Sequence, residues 1–152
     1  MFEHVIQSPV GPLTLTGTED ALTRLSFGGG QAGAASPSPA LELAARELEE
    51  YFAGVRREFT VPLAPEGTAF QLAVWSALRE IPYGATASYR DIAVRLGKPG
   101  GAVAVGQANS RNPIPIIIPC HRIIGAGGQL VGYTGGLEIK RFLLRLEERL
   151  PG

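Results

Sequence analysis

The stretch PIPIIIPCHRII, residues 113–124, constrains this chain more than any other part of its sequence. Four isoleucines and three prolines precede a Cys–His pair, and Cys120 is the only cysteine in the chain. Such an apolar run is buried in a folded protein, and its prolines hold the backbone stiffly, which fixes the direction of the thiol. Most buried cysteines are inert, because apolar surroundings raise the pKa of the thiol. The sequence therefore leaves two readings open, a packing cysteine and a nucleophile.

The nucleophilic reading needs a base and a group that orients the base. His121 follows the cysteine directly, but adjacent side chains of an extended chain diverge. It would therefore reach the thiol only through a turn or a bridging water. Glu147 near the end of the chain can be the orienting carboxylate, although beside Arg145 and Glu148 it also fits a solvated helix face.

The second half of the chain is predicted to be mainly helical. T-A-F-Q at 68–71 and S-Y-R-D at 88–91 have the capping-box pattern of helix starts. A further short helix, rich in small residues, is predicted over 101–109. Two short helices joined by a tight glycine-containing turn are a helix-turn-helix candidate. The small residues allow a close approach of either another helix or a nucleic-acid backbone.

An amphipathic helix ends the chain, after a glycine-rich loop around Tyr133 that lacks the phosphate-loop pattern. The apolar positions predict one inward face. The residues expected inward are Ile139, Phe142, Leu143 and Leu146, and those expected outward are Lys140, Arg141, Arg145 and Arg149.

The first half is predicted to be β-rich. Short alternating apolar runs fill the first thirty residues, a helix capped by Ser38 ends near Gly54, and one more strand is expected over 55–63. The interpretation is an α/β (α+β) chain with a small β-rich N-terminal domain, 1–66, and a helical C-terminal domain, 67–152, carrying a winged or helix-turn-helix DNA-binding motif.

Charge and cysteine content narrow the partners and the compartment. Residues 1–67 carry four Arg and nine Asp or Glu, whereas residues 68–152 carry ten Lys or Arg and five Asp or Glu. This asymmetry indicates that the second half meets a polyanion. A single cysteine fits a reducing, cytoplasmic setting, and one Cys with two distant His gives no metal site. No stretch is long and apolar enough for a membrane span.

Residues 112–147, NPIPIIIPCHRIIGAGGQLVGYTGGLEIKRFLLRLE, resemble the active-site region of the O6-alkylguanine-DNA alkyltransferases. Residues 70–93, FQLAVWSALREIPYGATASYRDIA, resemble a helix and the helix-turn-helix of the same family. The resemblance covers about residues 68–150 and implies direct reversal of DNA damage. The protein would be a monomer that acts on double-stranded DNA containing O6-alkylguanine, with no cofactor and no metal, and each chain would react once.

The resemblance also implies residue roles. Cys120 would accept the alkyl group from a flipped-out base, His121 would act as base through a water, and Glu147 would orient His121. Asn112 would brace the active-site turn, and Tyr89 would donate to guanine N3. The remaining implied positions wall the base pocket, namely Tyr133 and Thr134, or lie on the DNA-facing helix, namely Ala102, Val103 and Gly106.

One position departs from the family pattern. The family commonly has an arginine early on the recognition helix, where it replaces the flipped base in the duplex, and Val103 stands there in this chain. Valine can act as an apolar wedge but cannot hydrogen-bond the orphaned cytosine. We therefore expect weaker binding or flipping with the chemistry intact.

Three rival functions remain open at this point. A cysteine hydrolase built on Cys120, His121 and Glu147 would turn over repeatedly and need an oxyanion hole. A lesion-binding protein without repair activity would lack the acceptor cysteine, which this chain has. A structural DNA-binding domain would leave the thiol unexplained.

Overall fold

The structure, a computed structural model, describes residues 1–29, 37–125, 127–128, 131–133 and 135–149. The chain forms two compact units, Met1–Glu66 and Gly67–Gly152. No helix in these described ranges is long and apolar enough to cross a membrane.

The first unit is a three-stranded antiparallel sheet with one helix. Its strands are β1 (Phe2–Ile6), β2 (Leu13–Gly17) and β3 (Leu22–Phe27), in the order β1-β2-β3. Along β2 the buried and half-buried side chains alternate, as they do in a strand with one face on a core. Helix α1 (Pro39–Phe52) begins where predicted, because the Ser38 hydroxyl accepts the backbone N–H of Leu41 at 3.3 Å.

The strand predicted over 55–63 does not form. In that segment the structure records one isolated bridge, between Leu63 and Leu22. The backbone N–H groups of Thr60 and Val61 donate instead to the carboxylate of Glu47, a fully buried residue of α1. The prediction of a strand fails here because a buried side chain, and not a neighbouring strand, satisfies this backbone.

The second unit is helical: α2 (Ala69–Leu78), α3 (Tyr89–Arg95), α4 (Ala102–Ser110) and α5 (Leu137–Arg149), with a 3₁₀ turn over Cys120–Arg122. Both predicted capping boxes are present, Thr68 with Gln71 and Ser88 with Asp91. Helices α3 and α4 are the two helices of the predicted helix-turn-helix. The indole N–H of Trp75 on α2 donates to the carbonyl of Ala108 at 2.9 Å and ties α2 to α4.

The inward face predicted for α5 is correct at Leu143 and wrong at Phe142 and Lys140. Leu143 is fully buried, Phe142 is 38% exposed, and Lys140, expected in solvent, has no exposed surface. Glu147 is also buried, so a charged face of α5 lies inside the unit and not outside it.

Candidate functional site

A tight turn ahead of the cysteine is held by one side chain, Asn112. Its amide nitrogen donates to the carbonyl of Ile118 at 2.9 Å, and its amide oxygen accepts the N–H of Ile114 at 2.9 Å. The Ile118 N–H closes the turn onto the Ile114 carbonyl, also at 2.9 Å. The predicted bracing position of Asn112 thus coincides with three hydrogen bonds that set the path into Cys120.

Ile116, in the middle of this turn, has a φ of 74°. It is the one residue other than glycine with a positive φ among the described residues. A β-branched side chain disfavours this conformation, which persists only where the surroundings impose it. Here the Asn112 bonds and the burial of Ile114, Ile116, Ile117 and Ile118, each at most 4% exposed, impose it.

Cys120 is the first residue of the 3₁₀ turn and is 2% exposed. Burial raises the pKa of Cys120 to about 11, while a hydrogen bond with Asn112 and the positive charge of Lys140 act in the opposite direction. The thiol is therefore protonated at neutral pH in the free protein and needs a base to become a nucleophile.

His121 is fully buried, and its Nε2 lies 2.6 Å from Oε2 of Glu147. Burial lowers the pKa of His121, against the opposing effect of Glu147. The other ring nitrogen, Nδ1, is buried and has no hydrogen-bond partner within the described residues. A neutral ring that donates from Nε2 to the carboxylate leaves the lone pair of Nδ1 ready to accept a proton.

Glu147 binds two neighbours besides the histidine. The guanidinium of Arg122 donates to both carboxylate oxygens, from Nε at 2.8 Å and from Nη2 at 3.1 Å, and the backbone N–H of Gly84 lies at 3.5 Å. Although burial opposes it, the hydrogen bonds and charges of His121 and Arg122 lower the pKa of Glu147 to about 2. The carboxylate is therefore ionised at every pH at which the protein works.

Two tyrosines lie in the electrostatic field of the thiol. The ring of Tyr89, on α3, packs over Gly106 of α4, where an added Cβ would lie 3.7 Å from the ring. Burial raises the pKa of Tyr89, Cys120 adds to the rise, and a hydrogen bond with Asn109 opposes it. Burial also raises the pKa of Tyr133 far above its usual value, with smaller contributions from Cys120 and Glu147.

Lys140 is the site residue that sequence reasoning placed wrongly. Its Nζ donates to the carbonyl of Val131 at 3.0 Å, and burial lowers the pKa of its ammonium group. A signal was available in the sequence, since Lys140, Leu143 and Glu147 follow the i, i+3, i+7 spacing of one helix face. Arg122 and Asn109 were also missed, and no spacing marks either of them.

The structure thus brings most of the predicted catalytic residues together. The residues whose charges or hydrogen bonds connect them to the thiol or to its histidine are Asn112, Tyr89, Tyr133, Lys140 and Glu147. Thr134 lies outside the described residues. On α4, Ala102 and Gly106 are half-buried, whereas Val103 is 76% exposed.

The described residues contain no cluster of three His, Cys, Asp or Glu side chains that could hold a metal ion. The chemistry that this arrangement supports is nucleophilic attack by the thiol. A buried neutral histidine can accept the thiol proton, an ionised carboxylate orients that histidine, and Lys140 favours the thiolate.

Two family models match the chain. One is described as 6-O-methylguanine DNA methyltransferase, DNA binding domain, and matches residues 69–149; the other, of the same methyltransferase, is a ribonuclease-like domain and matches residues 1–65. Among curated relatives, the methylated-DNA–protein-cysteine methyltransferase of Methanosarcina barkeri is 53% identical, covering 97% of this chain and 98% of the relative. The protein of the same name from Mycobacterium leprae is 50% identical over 148 residues, 94% of this chain and 90% of the relative.

Solved structures give the same match. The crystal structure of Mycobacterium tuberculosis OGT in complex with DNA has a TM-score of 0.90 and 49% sequence identity, covering 99% of this chain and 94% of that one. A Methanococcus jannaschii O6-methylguanine DNA methyltransferase has a TM-score of 0.68 at 28% identity, covering 95% and 92% of the two chains.

Proposed function

Because the chain belongs to the O6-methylguanine DNA methyltransferase family, we propose that it repairs O6-alkylguanine in double-stranded DNA by moving the alkyl group to the thiol of Cys120. In the reaction Sγ attacks the alkyl carbon, an S–C bond forms, and the bond from that carbon to O6 breaks. The bonding electron pair stays on guanine, which takes up the proton that the thiol lost. The product is a thioether, so each chain reacts once.

The observation that carries the proposal is the state of His121. Its Nε2 is engaged by Glu147 at 2.6 Å, while its Nδ1 is buried and has no hydrogen-bond partner within the described residues. In the proposed step Nδ1 takes the proton of Cys120 through a bridging water. The ionised Glu147 stabilises the imidazolium that forms, and Lys140 favours the thiolate.

The lesion lies inside the duplex, so the nucleotide must be flipped out at a cost of a few kcal/mol. We assign the flipped base to the space next to Cys120 that Tyr89 and Tyr133 border, with Thr134 as a further contact. The tyrosine hydroxyls suit this role because their raised pKa values keep them protonated as donors. Helix α4 would face the minor groove, where half-buried Ala102 and Gly106 permit a close approach.

At Val103 we propose an apolar wedge in place of a hydrogen-bonding arginine. Its 76% exposure supports contact with the duplex, and its lack of a polar group predicts slow flipping. Val103→Arg should raise the transfer rate on duplex DNA severalfold and leave the rate on free O6-benzylguanine unchanged. No gain on the duplex would contradict the wedge.

A reducing compartment such as the cytoplasm fits an unpaired thiol that must stay reduced until it reacts. We further propose that the protein acts as a monomer, since one chain supplies every catalytic group named above.

The decisive experiment is mass spectrometry after incubation with a duplex that contains O6-methylguanine. The peptide containing Cys120 should gain the mass of one methylene, with no gain from the unmethylated duplex or in Cys120→Ser. An unmodified peptide would refute the proposal. More than one methyl group removed per thiol would instead favour a turnover enzyme of the hydrolase kind.

A further inference from the structure

Arg122 is a buried cation next to the proposed base, and the transfer reaction as described leaves it without a role. It is 6% exposed and donates to three acceptors: both oxygens of Glu147 and, from Nη1 at 2.7 Å, the carbonyl of Ile81. The guanidinium also lies 5.7 Å from the ring centre of Tyr83. Each of these contacts is directional, so together they fix the orientation of the planar guanidinium group.

The backbone of Arg122 is fixed as well. Its carbonyl accepts the N–H of Ala87 at 2.9 Å, and the Ile124 N–H donates to the carbonyl of Ala87 at 2.9 Å. These bonds tie the residue to the segment that leads into Ser88, the cap of α3. Both the backbone and the guanidinium of Arg122 are therefore held by hydrogen bonds to groups other than Glu147.

We infer that Arg122 is a positioning residue of the alkyl transfer, which keeps Glu147 ionised and aligned with His121 so that the histidine is neutral and able to accept the thiol proton. The inference rests on the proposed function. Arg122 acts on His121 through its hydrogen bonds to Glu147 and through its own positive charge, which lowers the pKa of His121.

The physical reason is that one carboxylate, Glu147, is shared between the guanidinium of Arg122 and the imidazole of His121. Oε2 of Glu147 is hydrogen-bonded to both Nε2 of His121, at 2.6 Å, and Nη2 of Arg122, at 3.1 Å. In a poorly solvated site an unshared carboxylate would strongly stabilise a protonated histidine. Arg122 already neutralises Glu147, and the positive charge of the guanidinium disfavours a second cation nearby, so the histidine keeps its lone pair.

Other titratable groups near His121 and Glu147 also affect the pKa of His121. Lys140 on α5 is a second cation that lowers the pKa of His121, and Glu147 opposes it. Tyr133 and the Cys120 thiol are neutral at working pH because burial raises the pKa of each. Arg122 is thus a cation hydrogen-bonded, through Nε and Nη2, to the carboxylate that orients the base.

The test compares two variants and one control over pH 4.5 to 8.5, with the single-turnover rate of methyl transfer from an O6-methylguanine duplex as readout. Arg122→Gln removes the charge, Arg122→Lys keeps it without the planar guanidinium group, and Arg141→Gln removes an exposed charge from α5. Because the reaction is stoichiometric, its amplitude gives the folded fraction and its rate constant reports the folded molecules.

In Arg122→Gln the acid limb of the rate should move up by about one pH unit, which lowers the rate on that limb roughly tenfold. Arg122→Lys should lower the plateau and leave the limb in place, and Arg141→Gln should match the wild type. The inference is overturned if Gln and Lys reduce the rate equally with an unmoved limb. It is also overturned if the acid limb of Arg122→Lys moves up by the one pH unit expected for Arg122→Gln. This second outcome can be measured even if Arg122→Gln does not fold. An unreactive wild type would instead refute the proposed function itself.

Discussion

Two glutamates, Glu47 on α1 and Glu147 on α5, lie buried in the two units and have much in common. Glu47 has no exposed surface and Glu147 is 3% exposed, and each carboxylate binds an arginine, Arg56 at 3.1 Å and Arg122 at 2.8 Å. Each also accepts hydrogen bonds from a segment outside its own helix. By burial and charge the two residues are nearly equivalent.

Their remaining partners separate them. Besides the arginine, the donors to Glu47 in the described part of the chain are groups that keep their protons, the N–H groups of Thr60 and Val61 and the Thr60 hydroxyl. Glu147 accepts a hydrogen bond from His121, whose imidazole ring can take up and release a proton. A buried carboxylate is therefore a brace or part of a catalytic site according to its partner, and burial does not distinguish the two cases.

The largest expected effect compares the same substitution at both positions. Glu147→Gln should slow methyl transfer about 1,000-fold, because the base loses its orienting charge. Glu47→Gln should leave the rate constant of the folded protein within about twofold and lower the free energy of unfolding by roughly 1–3 kcal/mol. Single-turnover kinetics and urea unfolding measure the two quantities. Equal rate losses in both variants would remove the distinction.

The next effect is on stability at low pH. The pKa of Glu147 is about 2 in the folded protein against 4.5 as its ordinary value, and that of His121 lies below 6.5. Both groups bind protons more readily when unfolded, so stability should fall as pH drops below 6.5 and again from 4.5 toward 2. For Glu147 the loss is roughly 3 kcal/mol, from the linkage between pKa and stability.

Urea unfolding at a series of pH values measures this loss as the difference between the wild type and Glu147→Gln. The variant should lack the component below pH 4.5. If the two curves stay parallel down to pH 2, the carboxylate is not held ionised by its partners.

The smallest effect concerns the third buried charge of the second unit. Lys140→Met removes a cation whose charge lowers the pKa of Cys120, so the thiol pKa should rise by about one unit. The rate of iodoacetamide reaction against pH measures it without DNA. Lys98→Met, which removes an exposed lysine beside Phe70, is the matched control. An unmoved pKa in Lys140→Met would show that the amine serves only to hold Val131.

Local chemistry in the sequence predicted part of this structure well. Ser38, Thr68 and Ser88 cap helices because capping depends on residues within one turn. The pairing of Cys120 with His121 and Glu147 became recognisable from the resemblance of the long surrounding stretch. The half-buried apolar pattern of α5 identified the helix but not the side on which Lys140 lies.

The failures share one cause. Lys140 was expected in solvent because a charge normally faces water, and 55–63 was expected to be one more strand of the β-rich first half. In the folded chain, long-range hydrogen bonds decide both, from Lys140 to Val131 and from Thr60 to Glu47. Such bonds connect residues whose proximity exists only after folding, so no local pattern contains them.

The turn held by Asn112, with Ile116 forced to a positive φ, has a consequence for a protein that reacts a single time. In an enzyme that turns over repeatedly, an encounter in which the nucleophile is misaligned costs only one of many cycles. A chain that is consumed has no later cycle, so every encounter with a lesion must find the sulfur already aligned. Because of the strained turn, the sulfur is ordered when the chain folds and not when it meets the lesion, so each folded molecule is aligned before it binds DNA.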